Sequence, residues 1–282
     1  MAIGSAIRLG RVVDSRDGRS LIGTFAHGLL RGPIVGEGSA RSLGQMARQV
    51  ADVGLDALMM SPGMLRASAP EFAGKNGPGL IVCLEWNNAF REGPASNFEA
   101  EGRSAILGSV EDALSFGADG VISYMFIGWS DRDAEARHVE HNAALTLECE
   151  RLGVVRVIET MIRGRGISRA EEIRSDYVAT AARMASEVGC DLVKVEWPGS
   201  AESLAKVVEA CPTPIVVAGG ELSSSAAVLD MAQGALDGGA SGLVIGRNIV
   251  QSTERIELVR DLNLLVHGEP VMAQDRPPSP AN

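Results

Sequence analysis

The chain alternates between two hydrophobic textures. One is a run of consecutive apolar and β-branched residues, as in SLIGTFAH (20–27), GLIVCLEW (79–86), VVRVIET (154–160) and TPIVVAGG (213–220). The other spaces apolar residues three or four apart, as in RSLGQMARQVADVG, AEARHVEHNAALTLECERLG, YVATAARMASEVG and SAAVLDMAQGALDGG. Continuous runs suit parallel strands covered on both faces, and the spaced pattern suits helices with one buried stripe. Four junctions share one grammar: GLDALMMS from Gly54, GADGVISYMF from Gly117, GCDLVKVEW from Gly189 and GASGLVIGRN from Gly239. In each, a glycine closes a helical stretch, one residue follows, then Asp or Ser, then a strand. Glycine fits the left-handed cap of a helix C-terminus.

Together these segments predict eight strands alternating with seven or eight helices. The remaining helical stretches are SAILGSVEDALSFG, AESLAKVVEACP and TERIELVRDLNLLV. GMLRASAPEFAGKNGP, between the second and third strands, has little apolar periodicity and reads as loop. Eight βα units in roughly 250 residues predict an α/β fold, a single-domain TIM (β/α)8 barrel. A doubly wound sheet carries a glycine fingerprint after its first strand, which GTFAHGLLRG lacks. The barrel is expected over residues 20–267, after an N-terminal extension (1–19) and before a flexible, proline-rich tail (268–282).

Composition narrows the classes of partner. A formal charge of −10 with scattered arginines argues against nucleic acid and anionic membrane surfaces, leaving a small molecule as the expected ligand. Cys83, Cys149, Cys190 and Cys211 show no CxxC spacing, so neither a zinc site nor a disulfide framework is expected, and a reducing cytoplasm fits. No window approaches eighteen apolar residues, and no export signal is visible. His138 and His141 lack a third ligand at metal spacing and read as a solvated helix face; no metal or other cofactor is expected.

Sites in this fold lie at the C-terminal ends of the strands. That rule selects Ala26, His27, Ser61, Glu85, Trp86, Tyr124, Phe126, Glu159, Lys194, Glu196, Gly219, Gly220, Gly246 and Arg247. Lys194 is the anomaly, because the chain has three lysines against twenty-three arginines and this one sits inside an apolar run. A desolvated amine loses its proton more readily and can attack a carbonyl to form a Schiff base. The same position also suits a lysine merely ion-paired to Glu196, Glu159 or Glu85. The turns AGGELSSS and IGRNIVQS follow strands seven and eight, where barrels often hold phosphate. Gly219, Gly220, Ser223, Gly246 and Arg247 are the candidate contacts, joined by His27; ordinary βα turns are the alternative.

From TFAHGLLRGP through LMMSPGMLR, VIETMIRGRG and DLVKVEWPGS to GASGLVIGRNIVQS, the chain resembles the Schiff-base (class I) aldolases of the DeoC/FbaB superfamily. These include archaeal-type fructose-bisphosphate aldolases, aminodideoxyheptulosonate synthases and autoinducer-phosphate thiolases. The resemblance implies that Lys194 forms the carbinolamine and imine, that Gly219, Gly220, Gly246 and Arg247 hold a substrate phosphate, and that the assembly is a homo-oligomer. It implies a lyase or synthase acting on a C–C bond of a phosphorylated ketone or aldehyde. Two departures stand out. Ala26 occupies the aspartate position of the family's Asp-His-Gly, and Phe126 or Met161 replaces its tyrosine. Proton transfer then falls to Glu159 and Tyr124, with Glu85, His27 and Glu196 as further candidates, while Glu221 opposes phosphate binding. The FIGWS segment leaves a thiolase-like acyl transfer open, and the departures leave open a non-catalytic barrel that binds phosphosugars. Trp86, Trp129 and Trp197 fit either an aromatic wall at the mouth or plain packing.

Overall fold

The computed structural model describes residues 3–34, 36, 38–74, 77–90, 102–164 and 166–268, and its eight parallel strands close into a barrel. In chain order the strands are Ser20–Thr24, Ala57–Met60, Gly79–Cys83, Gly120–Ile127, Val155–Ile162, Leu192–Val195, Ile215–Ala218 and Gly242–Ile245. Each pairs with its chain neighbours, and the first closes onto the eighth. This is the expected TIM barrel. Alternate residues fill its interior, among them Ile22, Met59, Ile81, Ile122, Val157, Leu192, Val216 and Val244; the other faces pack against the surrounding helices. Among the described residues no helix is long and apolar enough to cross a membrane.

The repeated junction has a physical purpose. All four of its glycines, Gly54, Gly117, Gly189 and Gly239, have positive φ, which turns the chain from helix into strand. The acid that follows then clamps the strand before it. Asp56 donates its N–H to Leu21 O and accepts the Leu21 N–H at Oδ2 (2.7 Å). Asp119 does the same with Leu80 (3.1 Å), and Asp191 with Arg156 (2.8 Å). A carboxylate thus supplies the acceptor that a longer neighbouring strand would have provided. At the fourth junction Ser241 uses backbone alone, donating to Ile215 O and accepting from Ser20.

Residues Ile3–Val12 form a helix across the bottom of the barrel. Val12 is fully buried against the interior cluster, its carbonyl accepts from Ser20 Oγ, and Arg11 reaches Asp119 at 2.9 Å. From residue 269 onward the expected tail lies outside the described residues.

Two element assignments need correction. GMLRASAPEF is not loop but belongs to the helix Pro62–Phe72. Ser61 caps it, Pro62 fits a first turn that needs no N–H, and the buried stripe runs through Leu65 and Ser68. A serine in that stripe hides the periodicity. Ser68 is small because it packs onto Gly44, where a Cβ would lie only 2.1 Å away. The second correction is in SAILGSVEDALSFG: Ser104–Ile106 is a strand, antiparallel to Glu85–Asn87, and the helix is confined to Val110–Ser115. Ser109 and Asp112 form a reciprocal capping box that sets this start.

Strand four runs to Ile127, five residues past its last pairing with strand three at Ile122. Its exposed edge is satisfied by side chains instead. Glu85 Oε2 accepts the Tyr124 N–H (2.7 Å), and Asn142 Nδ2 donates to Tyr124 O (2.9 Å).

The clamps make a stability prediction. Asp191→Ala should lower unfolding free energy by about 1–3 kcal/mol, since the Arg156 N–H loses its acceptor. Asp191→Asn, which keeps an accepting oxygen, should lose less. Urea denaturation of both variants checks this, and equal losses would contradict the clamp.

Candidate active site

Strand register assembles the first part of the site. Tyr124 is paired with Glu159 across strands four and five, and Glu159 with Lys194 across strands five and six. Paired residues of parallel strands point to the same face, so phenol, carboxylate and ammonium form one row inside the barrel. Lys194 Nζ lies 2.8 Å from Glu159 Oε2, and both side chains are only 9% exposed. A buried ammonium in this position depends on its carboxylate, because either ion alone would lose several kcal/mol of hydration uncompensated. Tyr124 bonds to Cys83, and burial together with the nearby Glu159 holds its phenol well above its ordinary pKa, so it stays protonated.

A cavity of about 360 Å³ opens above this row at the C-terminal mouth. Its lining includes Tyr124, Glu159 and Lys194, together with Phe90 and Met161. Beyond Lys194, strands seven, eight and one contribute Gly219, Gly220, Gly246, Arg247, His27 and Arg31. Gly220 has φ +65, a conformation that favours glycine. At Gly246 a Cβ would lie 2.7 Å from His27 Nε2, so its bare backbone lets the imidazole close in. Burial, with Lys194, Arg247 and Arg31 nearby, lowers the His27 pKa to about 3; the ring is neutral at physiological pH.

The glycine turns are held by a residue absent from the sequence reading. Asn248, 3% exposed, donates from Nδ2 to Gly219 O and Glu221 O (both 3.0 Å) and accepts the Ser223 N–H at Oδ1 (2.8 Å). Arg247 Nη2 donates to Gly220 O at 2.8 Å. A single amide therefore staples the loop after strand seven to the one after strand eight. Only the asparagine in GRNIV marks it in sequence.

Behind Tyr124 lies a buried polar layer. Glu85 Oε1 is 3.7 Å from His138 Nδ1, and Asn142 links His138 O and Tyr124 O to Ser123 and the fully buried Arg156. Burial pushes the Glu85 carboxyl up to about 7, against the opposing bond from the Tyr124 N–H, and pushes His138 down to about 4. The expected solvated face for His138 is therefore wrong. It packs edge-on to Trp129 and Phe126, because the buried stripe of the helix Arg132–Leu152 is partly polar: His138, Asn142, Thr146.

Comparison with known proteins places this geometry. The family model described as "DeoC/LacD family aldolase" matches residues 22–252. The chain belongs to the DeoC/LacD family of aldolases. It is an aldolase-type carbon–carbon lyase. An uncharacterised aldolase of Saccharolobus solfataricus is 30% identical over 267 residues, 94% of this chain and 95% of that one. The 2-amino-3,7-dideoxy-D-threo-hept-6-ulosonate synthase of Halobacterium salinarum is 30% identical over 94% of this chain and 92% of its own length. Among solved structures, an archaeal fructose-1,6-bisphosphate aldolase, its catalytic lysine covalently bound to the carbinolamine intermediate, superposes with TM-score 0.79. It shares 24% identity and covers 94% of this chain and 100% of the other, a likeness of fold.

In this aldolase most of the residues singled out in the sequence converge on one cavity: Lys194, Glu159, Tyr124, His27, Gly219, Gly220, Gly246, Arg247, Glu196 and Glu221. Ser223 stands outside the lining, bound through its N–H to Asn248. Glu85 sits behind Tyr124 rather than in the cavity. Among the described residues no tryptophan lines the cavity: Trp129 stacks on Phe126, Trp197 covers Gly234, and Trp86 lies in the strand Glu85–Asn87. Arg163, Arg169 and Glu172 also line the mouth and were not anticipated.

Two outcomes follow for this aldolase. Asn248→Ala should cost about 2–4 kcal/mol of stability, since three backbone groups lose their partner; urea denaturation reads it. The second concerns pH. The folded pKa of Glu85 lies above its ordinary 4.5, so its stabilising contribution is complete below about pH 4.5 and is lost as pH rises through about 7. Relative to the native protein, Glu85→Gln should therefore gain stability from pH 5 to pH 8, by up to about 3 kcal/mol. Melting curves across that range test the sign.

Proposed function

We propose that Lys194 is the Schiff-base nucleophile of this aldolase and that its substrate is a phosphorylated keto compound. One observation carries the reading: a buried ammonium–carboxylate pair at 2.8 Å lines the same cavity as two glycine turns stapled together by Asn248. Glu159 takes a proton from Lys194, and the free amine attacks the substrate carbonyl, forming the C–N bond as the carbonyl π pair moves to oxygen. Loss of water from this carbinolamine leaves a protonated imine. In the cleavage direction a base removes the proton of the β-hydroxyl, the oxygen's electron pair forms a C=O as the C–C bond breaks to release an aldehyde, and the C–C electron pair moves into the imine to give an enamine. Protonation of the enamine carbon and hydrolysis release the ketone and the lysine.

Glu159 is the base nearest the reacting nitrogen. Tyr124, held protonated, donates a hydrogen bond to the carbinolamine or hydroxyl oxygen. The phosphate rests on the turns at Gly219, Gly220 and Gly246, where Arg247 adds charge and neutral His27 a hydrogen bond. A homo-oligomer in the cytoplasm is the setting that the family resemblance supports.

Incubation with a panel of phosphorylated ketones followed by borohydride should leave a stable adduct on Lys194, read by peptide mass analysis. Lys194→Met should abolish both adduct and turnover. Glu159→Gln should slow turnover about 10²–10⁴-fold, the range for loss of a general acid–base group. No adduct with any member of the panel would sink the assignment.

A further inference from the structure

The side of the mouth formed by strands five and six carries a charged constellation that the chemistry at Lys194 leaves unused. Arg163 follows strand five by one residue, and Arg169 opens the short helix Arg169–Glu172. Arg169 Nη1 lies 2.8 Å from Glu172 Oε2 and 2.8 Å from Glu196 Oε1. Arg163 Nη1 contacts Glu172 and lies 3.6 Å from Glu196 Oε2. All four residues line the cavity, and their charges sum to zero. The glutamates are only 13% and 16% exposed, so solvent screens this pairing less than it would on an open surface.

The two ends of the cavity therefore differ. On one side of Lys194 lie the glycine turns with Arg247, Arg31, Glu221 and a neutral imidazole, a formal charge of +1 against zero for the quartet. On the other, both arginines are committed to glutamates. A phosphate arriving there must displace a carboxylate from its guanidinium or sit against it, and either is unfavourable for a dianion. A hydroxyl meets no such conflict, since it can donate to a carboxylate and accept from a guanidinium. Glu196 Oε2 is buried and ion-paired to Arg163 at 3.6 Å, beyond hydrogen-bond distance, so its accepting capacity is only partly used.

We propose that the Arg163–Arg169–Glu172–Glu196 quartet is a specificity filter: the cavity takes a keto compound with one phosphate and a hydroxylated, uncharged far end, and discriminates against bisphosphates. The inference rests on the phosphate-cradle reading above and adds the substrate class at the opposite end. It makes Glu172 and Glu196 specificity-determining residues, and it separates this chain from an enzyme built for a ketose bisphosphate despite the shared fold.

The test compares binding of fructose 1-phosphate and fructose 1,6-bisphosphate, by calorimetry on Lys194→Met protein so that no chemistry intervenes. The bisphosphate should bind no more tightly than the monophosphate. In Glu172→Gln/Glu196→Gln on the same background, the affinity ratio should shift at least tenfold toward the bisphosphate, and 0.5 M KCl should shrink that shift. Should the double variant fail to fold, Glu196→Gln alone should move the ratio at least threefold in the same direction. A bisphosphate that binds tenfold more tightly to the unaltered quartet, or a ratio that the glutamine variants leave unmoved, overturns the filter. Binding of neither compound overturns the cradle and the filter together, whereas borohydride trapping on Lys194 reports the nucleophile separately.

Discussion

The lateral register of strands four to six is the constraint on which the site depends. Tyr124, Glu159 and Lys194 meet because they are partners in that register, with no loop needed to bring them together. A slip of one residue in strand six would turn the ammonium outward among helices and leave Glu159 buried alone. The cost of such a slip falls on both ions at once, so the pair also specifies the pairing of its strands. The aspartate clamps at the other end of the barrel act in the same direction. Asp191 ties the start of strand six to Arg156 in strand five, three residues before Glu159. Register is thus pinned at the bottom by hydrogen bonds and brings phenol, carboxylate and ammonium together at the top.

Much of this was legible in the chain. The eight strands follow from apolar runs bounded by glycine, since burial on both faces demands such runs and little else does. Lys194 was legible for the opposite reason, as the one charge in a run that tolerates none. The polar interior of the helix Arg132–Leu152 was not. His138, Asn142 and Thr146 occupy a buried stripe that hydropathy assigns to solvent, and only their partners reveal them: Glu85, the Tyr124 carbonyl and the Gly189 carbonyl. Ser68 misled in the same way, because the space against Gly44 demanded a small side chain rather than an apolar one. Asn248 was hidden by its ordinary setting, a helix start after a glycine turn. Its three backbone partners lie 25 to 29 residues away in sequence, beyond the reach of any local pattern.

The departures from the family pattern acquire a local explanation. Ala26 removes a carboxylate from the end of strand one, and its neighbour His27 is kept uncharged by burial and by three surrounding cations. A carboxylate lies beside the Lys194 amine on strand five instead, where Glu159 adjoins it directly. With Phe126 or Met161 at the family's tyrosine position, a phenol still lies two residues before Phe126 on the same face of strand four, in Tyr124, against which Phe126 stacks at 5.8 Å. The alternation of a strand lets a phenol move down one layer without leaving the interior.

Strands four and five stay paired with each other as far as Ile127 and Ile162, three residues beyond the row of Tyr124 and Glu159, whereas strand six ends one residue after Lys194. The rim of the barrel is therefore uneven: a two-stranded wall stands beside the amine, and a lower sill lies where strand six stops.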